Sequence, residues 1–378
     1  MTAPLQITFL GLAITSSWGN GHAAVYRALL SALSTRGHQI TFLERELDYH
    51  AKHRDLPAPP YAKTLLYGSL DELRDRCTSA VRDADVVVVG SFVPEGIDVG
   101  AWVQRTAPGK CVFYDLETPV TLAALERHAC RYLNRELIAG YAMHLSTTGG
   151  PILRRIEREF GASAARVLYP GVSTAQYFPI LEPTHFEVAY LGTYRDDRQA
   201  ALERLLLDVA RERPQLRFAV AGAQYPKTIR WPSNVEHDVH LAPSLHRRYY
   251  AEQRWALDLG RRAMISAGWS PSTRLFEAAA CGTPIIAELW KGMDDILSPG
   301  REVFVADSTA DVLRFMEHVR EEERRKIADA ARRRILAEHT AMHRAEAFER
   351  YAREVLERTA RRPRTVGVSS QGSQGANP

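Results

Sequence analysis

Hydrophobic and polar positions along this chain of 378 residues fall into two alternating patterns. Short runs rich in Val, Ile and Leu ("LQITFLGLAI", "QITFLE", "DVVVVG", "KCVFYDLETP", "AMHLSTTGG") alternate with stretches whose apolar residues recur at helical spacing. The helical stretches are "AAVYRALLSALSTRGH", "LDELRDRCTSAVRDA" and "PILRRIEREFG", and "ARVLYPGV" closes the series. Runs of strand length without polar alternation are the mark of strands buried on both faces. Strand–helix repetition of this kind predicts a parallel sheet covered on both sides.

"YPGVSTAQYFPILEPTHF" carries three prolines and no period, as expected of a linker. A second series follows. It has strand "EVAYLGTY", helix "RQAALERLLLDVARERP", strand "LRFAVAGAQ", a polar stretch over 225–247, helix "RRYYAEQRW", short strand "ALDLG" and "AMISAG". Strands "TPIIAEL" and "REVFVAD" and helix "TADVLRFMEHV" come next, then a charged helical region from about Glu321 to Arg361. The Gly/Ser/Gln-rich tail, 362–378, has no apolar period and is expected to be disordered. The predicted fold class is α/β, with two Rossmann-like parallel-sheet domains facing across a cleft. Open sheets of this kind bind ligands at the carboxyl ends of their strands.

Composition narrows the function without naming it. The chain is 45% hydrophobic and 25% charged, with a net charge of +4, and it has neither zinc-finger spacing nor a basic-aromatic stripe, so nucleic acid is not an expected partner. Cys77, Cys111, Cys130 and Cys281 form no C-x-x-C pair, which argues against a disulfide framework or zinc site and for a reducing, cytoplasmic setting. The first residues lack the positive region of a secretory signal, and no apolar run reaches the ~20 residues of a membrane span. Peripheral membrane contact is left open.

Two strand-to-helix junctions carry candidate chemistry. In "SSWGNGHA", Gly19 and Gly21 permit close backbone approach beside Asn20, with His22 in the first turn as a polar contact or base. The loop matches neither a P-loop nor G-x-G-x-x-G, and a plain tight turn is the alternative. In "GWSPSTRLFEAAACGTPII", Ser270 is a good N-cap, Pro271 suits the first helical position, and Cys281-Gly282 with Pro284 forms a stop. A helix over about 271–281 would offer phosphate oxygens its amides and the Ser272 and Thr273 hydroxyls. Glu277 farther along would accept from ribose hydroxyls; the alternative is an exposed pair with Arg274.

The second motif resembles the donor-site helix of retaining glycosyltransferases of the two-domain GT-B fold. The chain is similar to the spore-maturation-protein-like group of group 1 glycosyltransferases. "SSWGNGHAAVYRALLSALSTRGHQITFLER", "YDLETPVTL", "AYLGTYRDDRQAALERL", "VAGAQYP" and "AEHTAMHRA" extend the likeness from about residue 6 to 350. The resemblance implies an N-terminal acceptor-side domain over 1–178 and a donor domain over 184–338, with a helix over about 339–360 packing back on the first. It implies a nucleotide-diphospho-sugar donor and no cofactor; the base is not legible, and a UDP-sugar is taken as the working choice with GDP or TDP as alternatives. Glu277 would hold ribose. Ser272, Thr273, Arg195 and Arg198 would hold the diphosphate, with Arg274 and Tyr194 as further donor-binding residues; an exposed helix start is the alternative for Arg195 and Arg198. Gly19, Asn20 and Gly21 would form the acceptor or sugar loop.

His22, Asp115 and Glu117 are the catalytic candidates, the last two at the end of strand "KCVFYDLETP". A plain strand-end cap is the alternative for the acidic pair. Asp-x-Glu also resembles a metal-binding Asp-x-Asp, but the donor helix and arginines already supply positive charge, so no metal is expected. Zinc on His339 and His343 is discounted because H-E-x-x-H is absent. "TTGGP" is a cleft loop or a turn. One departure stands out: Trp269 occupies the position of the first of two glutamates eight apart in the wider class. Its indole could be a sugar platform, and retention is correspondingly less secure. The acceptor, whether small molecule, glycan, lipid or protein, is not legible. An epimerase or hydrolase on the same fold and a non-catalytic nucleotide-sugar-binding protein are the rival readings.

Overall fold

A computed structural model describes residues 3–361; the tail expected to be disordered, 362–378, lies outside the described residues. The first sheet has seven strands: β1 (Gln6–Gly11), β2 (Gln39–Arg45), β3 (Lys63–Tyr67), β4 (Val86–Gly90), β5 (Cys111–Asp115), β6 (Met143–Ser146) and β7 (Ala165–Val167). They lie in the order β3-β2-β1-β4-β5-β6-β7, and neighbours pair in parallel. The second sheet has β8 (Phe186–Leu191), β9 (Phe218–Ala221), β10 (Val235–Asp238), β11 (Gln253–Asp258), β12 (Ile285–Ala287) and β13 (Phe304–Val305). Its order is β10-β9-β8-β11-β12-β13, again parallel. Strand order reverses beside β1 and beside β8. At such a reversal the loops on either side diverge and leave a crevice.

Alternate side chains of the central first-sheet strands enter different apolar layers. Leu10, Val87, Val89 and Phe113 face one side, and Phe9, Val86, Val88 and Tyr114 face the other. That is why the strands are nearly all apolar. The second layer also takes in Ala341, Ala345, Phe348, Ala352 and Val355 from the terminal helix Ala341–Arg361. Phe348 meets Phe9 at a ring separation of 5.7 Å, and Arg36 pairs with Glu349 at 2.7 Å.

The charged region is two helices, Glu321–Glu338 and Ala341–Arg361, broken at His339-Thr340. At the break the chain pairs with the linker: Val172 donates to the His339 carbonyl (3.2 Å) and Ala341 donates to the Val172 carbonyl (2.8 Å). This exchange returns the chain from the second sheet to the first. His339 contacts Arg344 through Nδ1 (2.6 Å), and His343 contacts Thr340 Oγ1 (2.7 Å).

Several elements depart from the sequence expectation. Gln253, Arg254 and Trp255 open β11 rather than ending a helix, because buried Trp255 pairs with Val188 in the sheet. That helix is Pro243–Ala251, and "AMISAG" contributes to a short helix, Arg262–Ala267. β3 and β10 were not anticipated. Both are edge strands whose half-exposed residues make no continuous apolar run.

Phe348 is 1% exposed. Phe348→Ala should lower stability by about 3–5 kcal/mol in urea unfolding, a buried aromatic cavity on the terminal helix. Glu357→Ala, on the exposed side of the same helix, should change it by less than about 0.5 kcal/mol.

Candidate active site

The loop after β1 is shaped by Asn20, which caps the helix Gly21–Thr35. Its Oδ1 accepts from the His22 amide (3.1 Å), and its Nδ2 donates to the Ser16 carbonyl (3.2 Å). Gly19 takes φ +58°, and Gly21 faces open space. A hollow of about 860 Å³ lies between this loop with Glu117 and Thr147 on the first-sheet side, and Thr193, Arg195, Arg198, Arg261 and Ser270–Ser272 on the second. A neighbouring hollow of about 650 Å³ adds Gly192, Gly222, His240, His246 and Glu277.

The donor-type helix begins later than expected. It is Thr273–Ala280, capped by Ser272, whose Oγ accepts from the Leu275 amide (3.3 Å). Asp258, at the end of β11, explains the shift. It accepts from Ser272 Oγ at 2.5 Å and so fixes the cap there. Ser270 instead meets Thr148 Oγ1 (2.9 Å) across the cleft, and Pro271 precedes the helix. Gly282, at φ +74°, ends it as the Gly-Thr-Pro stop predicts.

Glu277 is 4% exposed. It accepts from Tyr250 Oη (3.0 Å) and stands 3.9 Å from His246 Nδ1. Burial pushes its carboxyl up to about 7, against the opposing pull of the Tyr177 and Tyr250 hydroxyls and Arg274. Arg274 does not form the exposed pair with Glu277. Its Nε lies 3.4 Å from Asp258 and its Nη2 donates to the Leu259 carbonyl (2.8 Å). Thr273 lines a further hollow behind Glu277 rather than the one containing Arg195.

Arg195 and Arg198 are half-buried in the cleft wall, not at an exposed helix start. Arg195 donates to the Tyr194 carbonyl (3.0 Å) and Gln224 Oε1 (2.9 Å), and Arg198 to Tyr190 Oη (2.9 Å) and the Thr193 carbonyl (3.3 Å). Among the described residues neither forms an ion pair with a carboxylate. Tyr194 is turned away from both hollows: its hydroxyl donates to Asp196 (2.6 Å) and its ring packs 5.4 Å from Tyr225.

The two acidic candidates separate. Asp115 is fully buried and does not face the cleft. It accepts from Thr121 Oγ1 (2.8 Å) and the Glu117 amide (3.1 Å), which makes it a strand-end cap. Glu117, two residues on, lines the hollow. Arg261 Nη1 lies 2.5 Å from it and His22 Nε2 3.8 Å, the latter an electrostatic contact rather than a hydrogen bond. Burial alone would raise the Glu117 carboxyl, but His22, Arg261 and Arg195 outweigh it and hold it at about 2. Arg261 was not anticipated. Its position just after β11, at a strand's carboxyl end, is the signal that could have found it.

Trp269, expected as a sugar platform, lines neither hollow. At φ +45° its amide donates to the Lys291 carbonyl (2.6 Å), its carbonyl accepts from Gly149 (2.9 Å), and its indole Nε1 donates to Asp295 (2.7 Å). The indole lies against Gly150 and Gly292; a Cβ on Gly150 would come 2.5 Å from the ring. "TTGGP" and the Trp269 loop therefore join the two halves beside the cleft. Gly150 also takes φ +67°. Gly150→Ala should cost about 2 kcal/mol or more and move Trp269 off its seat. A lowered thermal midpoint and altered tryptophan fluorescence would show this; an unchanged pair of readings would remove the contact from the account.

Residues 198–350 match a family model described as glycosyl transferase-like. No curated protein matches the chain. Among solved structures, the fold is similar to sucrose-phosphate synthase from Thermosynechococcus elongatus, at TM-score 0.70 and 14% identity over 93% of this chain and 100% of that one. It is also similar to HepE of Anabaena in complex with UDP and glucose (TM-score 0.68, 12% identity, 93% and 100% covered). An alpha-glucosyltransferase in complex with UDP-glucose and DNA gives TM-score 0.69 at 11% identity, with 93% and 100% covered. At these identities the likeness is one of fold, and the fold is GT-B. Among the described residues, no helix is long and apolar enough to cross a membrane.

Proposed function

We propose that this chain, which has the GT-B fold and matches a glycosyl transferase-like model over 198–350, is a glycosyltransferase that moves a sugar from a UDP-sugar to an acceptor hydroxyl, without a metal and with retention. One observation carries the reading. Arg195 and Arg198 face the hollow with only uncharged acceptors as partners, beside the start of the helix capped by Ser272. That is the electrostatic complement of a diphosphate. Glu277, one turn along the same helix at roughly 1.5 Å per residue, is spaced to accept from ribose hydroxyls. UDP as the nucleotide is supported by structural neighbours solved with UDP or UDP-glucose.

In the transfer, the bond from the anomeric carbon to the diphosphate breaks and a bond to the acceptor oxygen forms. The acceptor's proton passes to the departing diphosphate oxygen, and UDP leaves. Arg195, Arg198 and the helix dipole stabilise the charge growing on the leaving oxygen, which is the work a metal would otherwise do. Glu117 and His22, on the opposite wall, are placed to bind and orient the acceptor hydroxyl. Retention rests on the likeness to an alpha-glucosyltransferase bound to UDP-glucose, whose sugar is α-linked. A β-linked product from an α-linked donor, read by NMR, would overturn it.

Glu277 gives a pH test. Ribose hydroxyls need the ionised carboxylate, whose carboxyl titrates at about 7 when buried. UDP affinity should therefore rise with pH through 7 in the wild type. Glu277→Gln should weaken UDP binding by roughly 10-fold or more above pH 7, consistent with losing hydrogen bonds to a charged group, and should lack that part of the pH dependence. The ligand-free enzyme should move the other way. Its carboxyl is raised above the unfolded value, so stability from this group is present at low pH and lost as pH rises through 7, and Glu277→Gln should remove that loss. Calorimetric UDP titrations and thermal melts of both proteins check the two signs. Equal UDP affinity of wild type and variant would remove Glu277 from the donor site.

A further inference from the structure

Arg261 faces the same hollow as Arg195 and Arg198 but differs from them in its partners. Its Nη1 meets Glu117 across the cleft at 2.5 Å, and its Nε meets Asp197 on its own side at 3.3 Å. Its side chain is 19% exposed, and its Nη2 has no hydrogen-bond partner among the described residues. The charged groups facing Glu117 are Arg261 from the loop after β11, His22 from the first helix and Arg195 from the loop after β8. In the ligand-free enzyme the acceptor-side carboxylate is thus occupied by an arginine that belongs to the donor side.

Resting on the donor and acceptor sides assigned above, we propose that Arg261 is a donor-sensing positioning residue. The diphosphate of the donor draws the guanidinium off Glu117, so that Glu117 becomes available to the acceptor hydroxyl only when donor is bound.

Three features support the exchange. A diphosphate carries more negative charge than one carboxylate, and the planar guanidinium can bind two phosphate oxygens side by side. Asp197 holds Nε, so the Nη end can turn towards phosphate without losing that anchor. Asp197 also lies in the first turn of the helix Asp196–Leu202, which carries Arg198, so the pivot of Arg261 and a diphosphate arginine share one element. The consequence is an order of binding, with donor first and acceptor second. Donor and acceptor sites are then coupled, and the coupling is reciprocal.

Calorimetric titration with UDP, and with uridine as the phosphate-free probe, tests this in five proteins. They are wild type, Glu117→Gln, Arg261→Ala, the double variant, and Arg261→Lys combined with Glu117→Gln. Glu117→Gln frees Arg261 in advance, so it should tighten UDP binding by about 5-fold or more, the lower end of usual coupling between sites, and leave uridine unchanged. In the Arg261→Ala background the same substitution should have little effect. Lysine, which keeps the charge but not the fork, should restore part of the effect. If Glu117→Gln tightens UDP equally with and without Arg261, simple charge repulsion explains the result and the exchange is wrong. An unchanged UDP affinity in Glu117→Gln is equally fatal. Arg195→Ala separates the underlying reading: if it weakens UDP while Glu117→Gln does nothing, the donor site stands and only the exchange falls. If the wild type binds no UDP, both fall. Thermal melts confirm that each variant is folded.

Discussion

The cleft depends on two parallel sheets presenting their strand-order reversals to each other. A parallel sheet covered on both faces has nowhere to expose polar chemistry except at its strand ends. Where neighbouring connections leave for opposite faces, the strand ends are uncovered. The loop after β1 with Gly19–Gly21, and the loop after β8 with Arg195, are the two such places. Contacts from one half to the other keep them opposed: Thr148 to Ser270, Gly149 to Trp269, and Glu117 to Arg261. The exchange between Val172 and the His339–Ala341 break then sends the last helix back onto the first sheet.

Much of this was legible because buried strands and amphipathic helices impose their own periods. "DVVVVG" can be little other than a central strand, and β4 is entirely buried. The two-sheet GT-B fold followed from such segments and from the motif resemblance. What escaped was decided by tertiary contacts. β10 reads "VEHD" and lies at an edge, so its residues carry no continuous apolar signal. The helix that carries Glu277 starts at Thr273 because of Asp258, a partner 14 residues earlier, and no local capping preference can weigh that bond. Asp115 and Glu117 look equivalent in "YDLETP". Only the Thr121 hydroxyl and the Glu117 amide, both taken up by Asp115, make one a cap and leave the other in the cleft.

Trp269 shows the same limit from another direction. By position it stands where the wider class has a carboxylate, and its size suggested a platform for sugar. Its conformation instead depends on two glycines distant in sequence, Gly150 and Gly292, whose missing side chains make room for the indole. A bulky residue in a loop near a cleft does not announce which side of the loop it packs against.

The indole at 269 also bears on charge balance. Arg274 answers Asp258, and Arg261 answers both Glu117 and Asp197. Arg195 and Arg198 are left with uncharged partners. A carboxylate side chain at 269 would add negative charge to this part of the chain, beside Ser270 and Pro271 in the cleft wall. With tryptophan there, tied to Asp295 through its ring nitrogen, that charge is absent. In a half-buried cleft, unpaired positive charge is costly unless an anion completes it. The surplus therefore favours a multiply charged ligand over a neutral one, and the same surplus would let a diphosphate compete with Glu117 for Arg261.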